Sequence, residues 1–130
     1  MAIQMQIFMI LGMILCLTSV AHAAQGNAVF YNPPYTPSAC YQNQDHGSMV
    51  TGVSDALWED GAACGRNYTV RCIGAANEAP HPCHDGASVE VTAVDYCEEI
   101  CNGVLNLSQD AFALIADLDA GKVQVEYDQA

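Results

Sequence analysis

Residues 88–95 read SVEVTAVD, and their alternation decides the class of fold. Val89, Val91 and Ala93 fall on one side of an extended chain, with Glu90, Thr92 and Val94 on the other, the pattern of a half-buried strand. KVQVEY at 122–127 repeats the pattern, with Val123, Val125 and Tyr127 opposed to Gln124 and Glu126. Three further runs, 27–31, 49–53 and 68–73, are rich in β-branched and aromatic residues and read as strands too. Turn formers separate these runs: Asn32-Pro33-Pro34, Asp45-His46-Gly47, Asp60-Gly61, Asp85-Gly86 and Asn102-Gly103.

One segment has the helical period. Ser108 suits an N-cap, Asp110 sits in the first turn, and Phe112, Ile115 and Ala116 share a face. Gly121 reads as the stop of that helix. A single turn over 55–58 is a second helical candidate. The chain is therefore mainly β, with one or two short helices.

Charge and cysteine content narrow the function. Fifteen Asp and Glu stand against three Lys and Arg, a formal charge of -12 in 130 residues. Three cations cannot neutralise a phosphate backbone, which excludes nucleic acid as a partner. The same charge repels anionic lipid surfaces and acidic polysaccharides. Residues 7–17 form an apolar run broken only by Gly12, too short to span a bilayer, and Ala21-His22-Ala23 follows as a small-x-small cleavage pattern. Residues 1–23 therefore read as a signal peptide, although MAIQMQ carries no Lys or Arg, and residues 24–130 as one exported, monomeric domain without membrane insertion.

Cys16 leaves with the signal, so six of the seven Cys remain: Cys40, Cys64, Cys72, Cys83, Cys97 and Cys101. An even count in an exported chain implies three disulfides, which sequence alone could join in fifteen ways. His81-Pro82-Cys83-His84 invites a metal reading, but an oxidised Cys83 has no thiolate to offer, so no metal or cofactor is expected. Two sequons, Asn67-Tyr68-Thr69 and Asn106-Leu107-Ser108, are candidate N-glycosylation sites.

The order of motifs adds a resemblance. Trp58-x-x-Gly61-x-x-Cys64-Gly65 is followed by Val94-Asp95-Tyr96-Cys97 and then by Leu107-Ser108-x-x-Ala111-Phe112. In this order, and over about residues 26–127, the chain resembles the plant natriuretic peptides, small secreted relatives of expansins. The resemblance implies a six-stranded double-psi β-barrel and a Cys40–Cys64 disulfide; pairing of neighbours along the chain then gives Cys72–Cys83 and Cys97–Cys101. Two-domain expansins carry a second, cellulose-binding β-sandwich, and the expectation here is a single domain that moves freely in the wall space.

The resemblance also bears on chemistry. Glycoside hydrolysis uses two carboxyl groups across the scissile bond. Where the family pattern has an Asp this chain has Asn106, and where it has a first-strand Thr this chain has Val29. No catalytic residues and no enzyme are therefore expected. Tyr31, Asp95 and Asn106 remain as candidates to line a groove. The implied function is signalling in water and solute homeostasis through a cell-surface receptor, with activity assigned to the stretch 34–72. The alternatives are weak wall-polysaccharide binding without hydrolysis, or a barwin-like defence role.

Overall fold

The computed structural model describes residues 23–101 and 103–130. The signal peptide expected over 1–23 lies outside the described residues except for Ala23. The elements are β1 (Ala24–Tyr31), β2 (Val50–Val53), α1 (Asp55–Trp58), β3 (Asn67–Ala75), β4 (Val89–Tyr96), β5 (Leu105–Ser108), α2 (Gln109–Ile115) and β6 (Val123–Gln129). The six strands close in the order β1-β5-β2-β4-β3-β6. The β1–β5 and β2–β4 pairs are parallel and the other four are antiparallel. Closure leaves no unpaired edge strand among the described residues.

Alternation fills the interior. Val70, Val91, Ala93, Val123, Val125, Leu105 and Leu107 are buried there, and α2 covers the core with Phe112 and Ile115. The Phe112 ring lies 4.8 Å from that of Phe30. Ser108 caps α2 as its position suggested: its hydroxyl accepts the Ala111 N–H at 3.1 Å and donates to the Ser48 carbonyl at 2.6 Å.

Three details depart from the sequence reading, each for a local reason. The strand that the sequence reading lacked, β5 (Leu105–Ser108), has only four residues, three of them buried, so it shows no alternation long enough to read. Val94, expected on the polar side of its strand, is buried because the connection between β1 and β2 folds over it and the Cys40 N–H bonds its carbonyl at 2.9 Å. The helix stops at Ile115 rather than at Gly121. Segment 82–84 takes over the carbonyl of Ile115 through the His84 N–H at 2.8 Å, and Ala116 turns extended to bridge Cys83. Gly121, at φ +71°, instead closes the short turn Leu118–Ala120.

Disulfides staple the connections. Cys40–Cys64 joins the β1–β2 connection to the segment between α1 and β3. Cys72–Cys83 ties β3 to the β3–β4 connection, and Cys97–Cys101 closes the turn after β4. In the chain-entropy account such links contribute about 2–4 kcal/mol each, more for longer loops.

At the end of α2, His84 faces two acceptors. Its Nε2 lies 2.9 Å from Asp117 Oδ1 and its Nδ1 3.3 Å from the Leu114 carbonyl. Only the imidazolium donates from both nitrogens, so the Asp117 bond first and the Leu114 bond second raise the His84 pKa. A raised folded-state pKa gives stability that is complete below the unfolded value and fades as pH rises through the folded one. The Tm gap between wild type and His84→Gln should therefore be widest near pH 5 and close at alkaline pH; an equal gap at both ends of a pH series of thermal melts contradicts this. Phe112→Ala, at a site with no exposure, should cost about 3–5 kcal/mol in urea titrations.

Candidate functional site

Strand register assembles the groove. Val29 on β1 pairs with Asn106 on β5, Asn106 pairs with Gly52 on β2, and Gly52 pairs with Asp95 on β4. Residues far apart in sequence thus form one row across four strands, with Tyr31 two positions beyond Val29 on the same face of β1. Gly52 adds no side chain to this row. A Cβ there would meet those of Asn106 at 3.5 Å, Cys97 at 3.6 Å and Asp95 at 3.7 Å, so glycine leaves a gap between the amide and the carboxylate.

Over the row lies an open groove of about 590 Å³, lined by Val29, Tyr31, Tyr96, Glu98, Asn106 and Lys122 among others. Two of the three groove residues read from sequence, Tyr31 and Asn106, line it directly. Asp95 sits behind Gly52, where its Oδ1 accepts the N–H of Ala39 at 3.1 Å and of Tyr96 at 2.9 Å. Burial raises the Asp95 pKa and the Ala39 bond opposes that rise. Asp95 therefore anchors the β1–β2 connection as well as bordering the groove.

Tyr31 has the least satisfied polar atom here. Its hydroxyl is buried and has no hydrogen-bond partner among the described residues. Burial, then the nearby Asp95 and Tyr35, hold its pKa far above the ordinary tyrosine value, so it stays a neutral phenol. Trp58 stacks on Tyr96, with centroids 4.9 Å apart and planes 13° apart, and the Tyr96 hydroxyl donates to Asp55. Trp58 thus backs Tyr96, one wall of the groove.

A second surface lies on the loops. The β1–β2 connection, residues 32–49, is mostly exposed yet fixed at several points. The Tyr35 hydroxyl donates to Asp110 Oδ2 at 3.0 Å, Ala39 bonds Asp95, Cys40 is bridged to Cys64, and the Ser48 carbonyl takes the Ser108 hydroxyl. Within it the Tyr41 and His46 rings stack at 3.7 Å. The facing segment 55–66 holds Glu59 and Asp60 at φ 50° and 54°, backbone that non-glycine residues seldom adopt, and the Arg66 guanidinium donates to Glu59 at 2.9 Å.

Sequence reasoning missed Gly52, Tyr96, Glu98 and Lys122. Tyr96 and Glu98 follow Asp95 closely, which was the available hint; Gly52 and Lys122 reach the site only through the barrel's pairing. In His81-Pro82-Cys83-His84, Cys83 is bonded to Cys72 and His84 to Asp117, and no three ligands converge among the described residues.

Comparison with known proteins places this architecture. The family model described as lytic transglycolase, a double-psi β-barrel family, matches residues 50–127. EG45-like domain containing protein 2 of Arabidopsis thaliana is 54% identical over 111 residues, covering 85% of this chain and 84% of that protein. The EG45-like domain containing protein of Citrus jambhiri is 44% identical over 132 residues, covering all of both. A mutant Clavibacter michiganensis expansin solved in complex with cellohexaose superposes with a TM-score of 0.63 at 23% identity, over 83% of this chain and 50% of that one. At that identity the likeness is one of fold, and this chain spans half the expansin's length. With a closed six-stranded barrel and relatives matched over most or all of their length, the chain belongs to the EG45-like proteins of the expansin-like double-psi β-barrel family.

Proposed function

We propose that this is an exported, non-hydrolytic signalling domain, similar to plant natriuretic peptides, acting in water and solute homeostasis through a cell-surface partner that reads the loop surface of residues 35–47 and 55–66. The observation that carries this reading is the fixing of two exposed, polar stretches against each other by Cys40–Cys64, with the first of them also held to β4 by the Ala39–Asp95 bond. Loops fixed before docking lose less entropy on binding, and recognition concentrates on loops held by a rigid scaffold. The segment's own charges, Asp45, Asp55, Glu59 and Asp60 against Arg66, favour a partner with basic groups.

The absence of hydrolysis rests on the groove row. Val29 and Asn106, where the family pattern has polar catalytic groups, are register partners, so β1 and β5 present a methyl-bearing side chain and an amide side by side. Neither transfers a proton at neutral pH. Asp95 holds two backbone N–H groups on its Oδ1 and is not among the groove-lining residues, and Glu98 stands exposed at the mouth. The lytic activity named in the family description therefore does not carry over.

A second reading, weak binding of wall glucan without cleavage, is favoured by Tyr31 and Tyr96 in an open groove and by the likeness in fold to half of an expansin solved in complex with cellohexaose. The two separate on protoplasts, which have no wall. Purified residues 24–130 should change water flux across protoplast membranes, the Cys40→Ser/Cys64→Ser variant should act more weakly, and Asn106→Ala should act as wild type. Loss of the response with Asn106→Ala, together with co-sedimentation on cellulose that this change abolishes, would favour the groove. Soluble cellulose derivatives should release no reducing sugar above a heat-killed control, for wild type and for Asn106→Asp alike; release by the wild type refutes the non-hydrolytic assignment.

A further inference from the structure

The two sequons occupy opposite situations in the folded barrel. Asn67 is the first residue of β3 and is exposed. Its Oδ1 accepts the Thr92 hydroxyl at 2.7 Å, which fixes the side-chain amide by its oxygen and leaves Nδ2 as the end turned away from that bond. Thr69, the third residue of the motif, is half-buried, and only Tyr68 between them enters the core.

Asn106 is held between β1 and β2, paired with Val29 on one side and Gly52 on the other. Its motif is completed by Leu107 and Ser108, neither of which has any exposure, and the Ser108 hydroxyl is spent on Ser48 and Ala111. An oligosaccharide on Asn106 would have to occupy the groove from its floor.

We propose that Asn67 carries an N-linked oligosaccharide and that Asn106 does not; the inference rests on the export proposed above. In the transfer, Asn67 Nδ2 forms a bond to the anomeric carbon of an oligosaccharide attached to a polyprenyl diphosphate. The carbon–oxygen bond to the diphosphate breaks, the diphosphate leaves with the electron pair, and Nδ2 gives up one proton. No redox partner is needed.

Transfer to Asn67 is compatible with folding because everything attached to Nδ2 stays in solvent. Asn67 pairs with Thr92, three residues before Asp95 on β4 and so about 10 Å along the strand from the groove row. The groove therefore stays open. The sugar would instead border Gly65 and Arg66, next to Cys64, and limit approach to the 55–66 segment from that side.

The test uses the full chain expressed in plant cells and recovered from the medium. Digestion with a peptide:N-glycosidase in heavy-oxygen water, followed by peptide mass mapping, should find labelled Asp at position 67 and unmodified Asn at 106. Asn67→Gln should remove the mobility shift and Asn106→Gln should leave it. Thr69→Val abolishes the motif while keeping the Asn67–Thr92 bond, so it should also remove the shift even if Asn67→Gln fails to fold. Exported protein bare at Asn67, or carrying sugar at Asn106, overturns the inference alone; chain retained in the cytosol overturns the export reading and this one with it.

Discussion

The Ser108 hydroxyl is the joint on which the rest of the structure depends. It has no exposure, donates to the Ser48 carbonyl and accepts the Ala111 N–H. One oxygen thereby ends β5, starts α2 and fixes the end of the β1–β2 connection where it enters β2. A buried hydroxyl that satisfies two partners is costly to replace, since its loss strands a carbonyl and an N–H away from water. With β5 held, the parallel pairing to β1 closes the barrel, and α2 brings Phe112 over the core and Asp110 to Tyr35.

Two surfaces follow from that closure, with different physical characters. The groove is built on strand register, so its members cannot move independently of the barrel. The loop surface is built on a few cross-links: two tie it to regular elements, Asp95 at the end of β4 and Asp110 in α2, and the third, Cys40–Cys64, joins its two stretches. Asp95 serves both, since its carboxylate borders the groove row and holds Ala39. One side chain thus belongs to the strand row beneath the groove and to the anchorage of the loop.

The strands at 88–95 and 122–127 were legible because one buried face imposes a period of two that composition displays directly. β5 was not, because its alternation, Leu105-Asn106-Leu107-Ser108, is only four residues long and too short to stand out. Val94 misled for a related reason: alternation reports which face meets the core, not which face a loop will cover. Tyr31, Asp95 and Asn106 were accessible through the order of motifs, whereas Gly52 and Lys122 join the site through pairings that no local pattern encodes. Gly121 carried a correct conformational signal, a positive φ, attached to the wrong element.

The disulfide connectivity has a consequence for how the molecule is made. Each Cys of the barrel is joined to the next Cys along the chain, at separations of 24, 11 and 4 residues. On the export proposed above, the chain from residue 24 onward would enter an oxidising compartment N-terminus first and meet each partner as the next thiol to emerge. Correct bridges are then the ones kinetically nearest, and of the fifteen conceivable sets the native one demands the least reshuffling. Under that proposal, oxidative maturation of this small acidic barrel would keep pace with its delivery, segment by segment, before the parallel pairing of β1 with β5 brings the distant ends together.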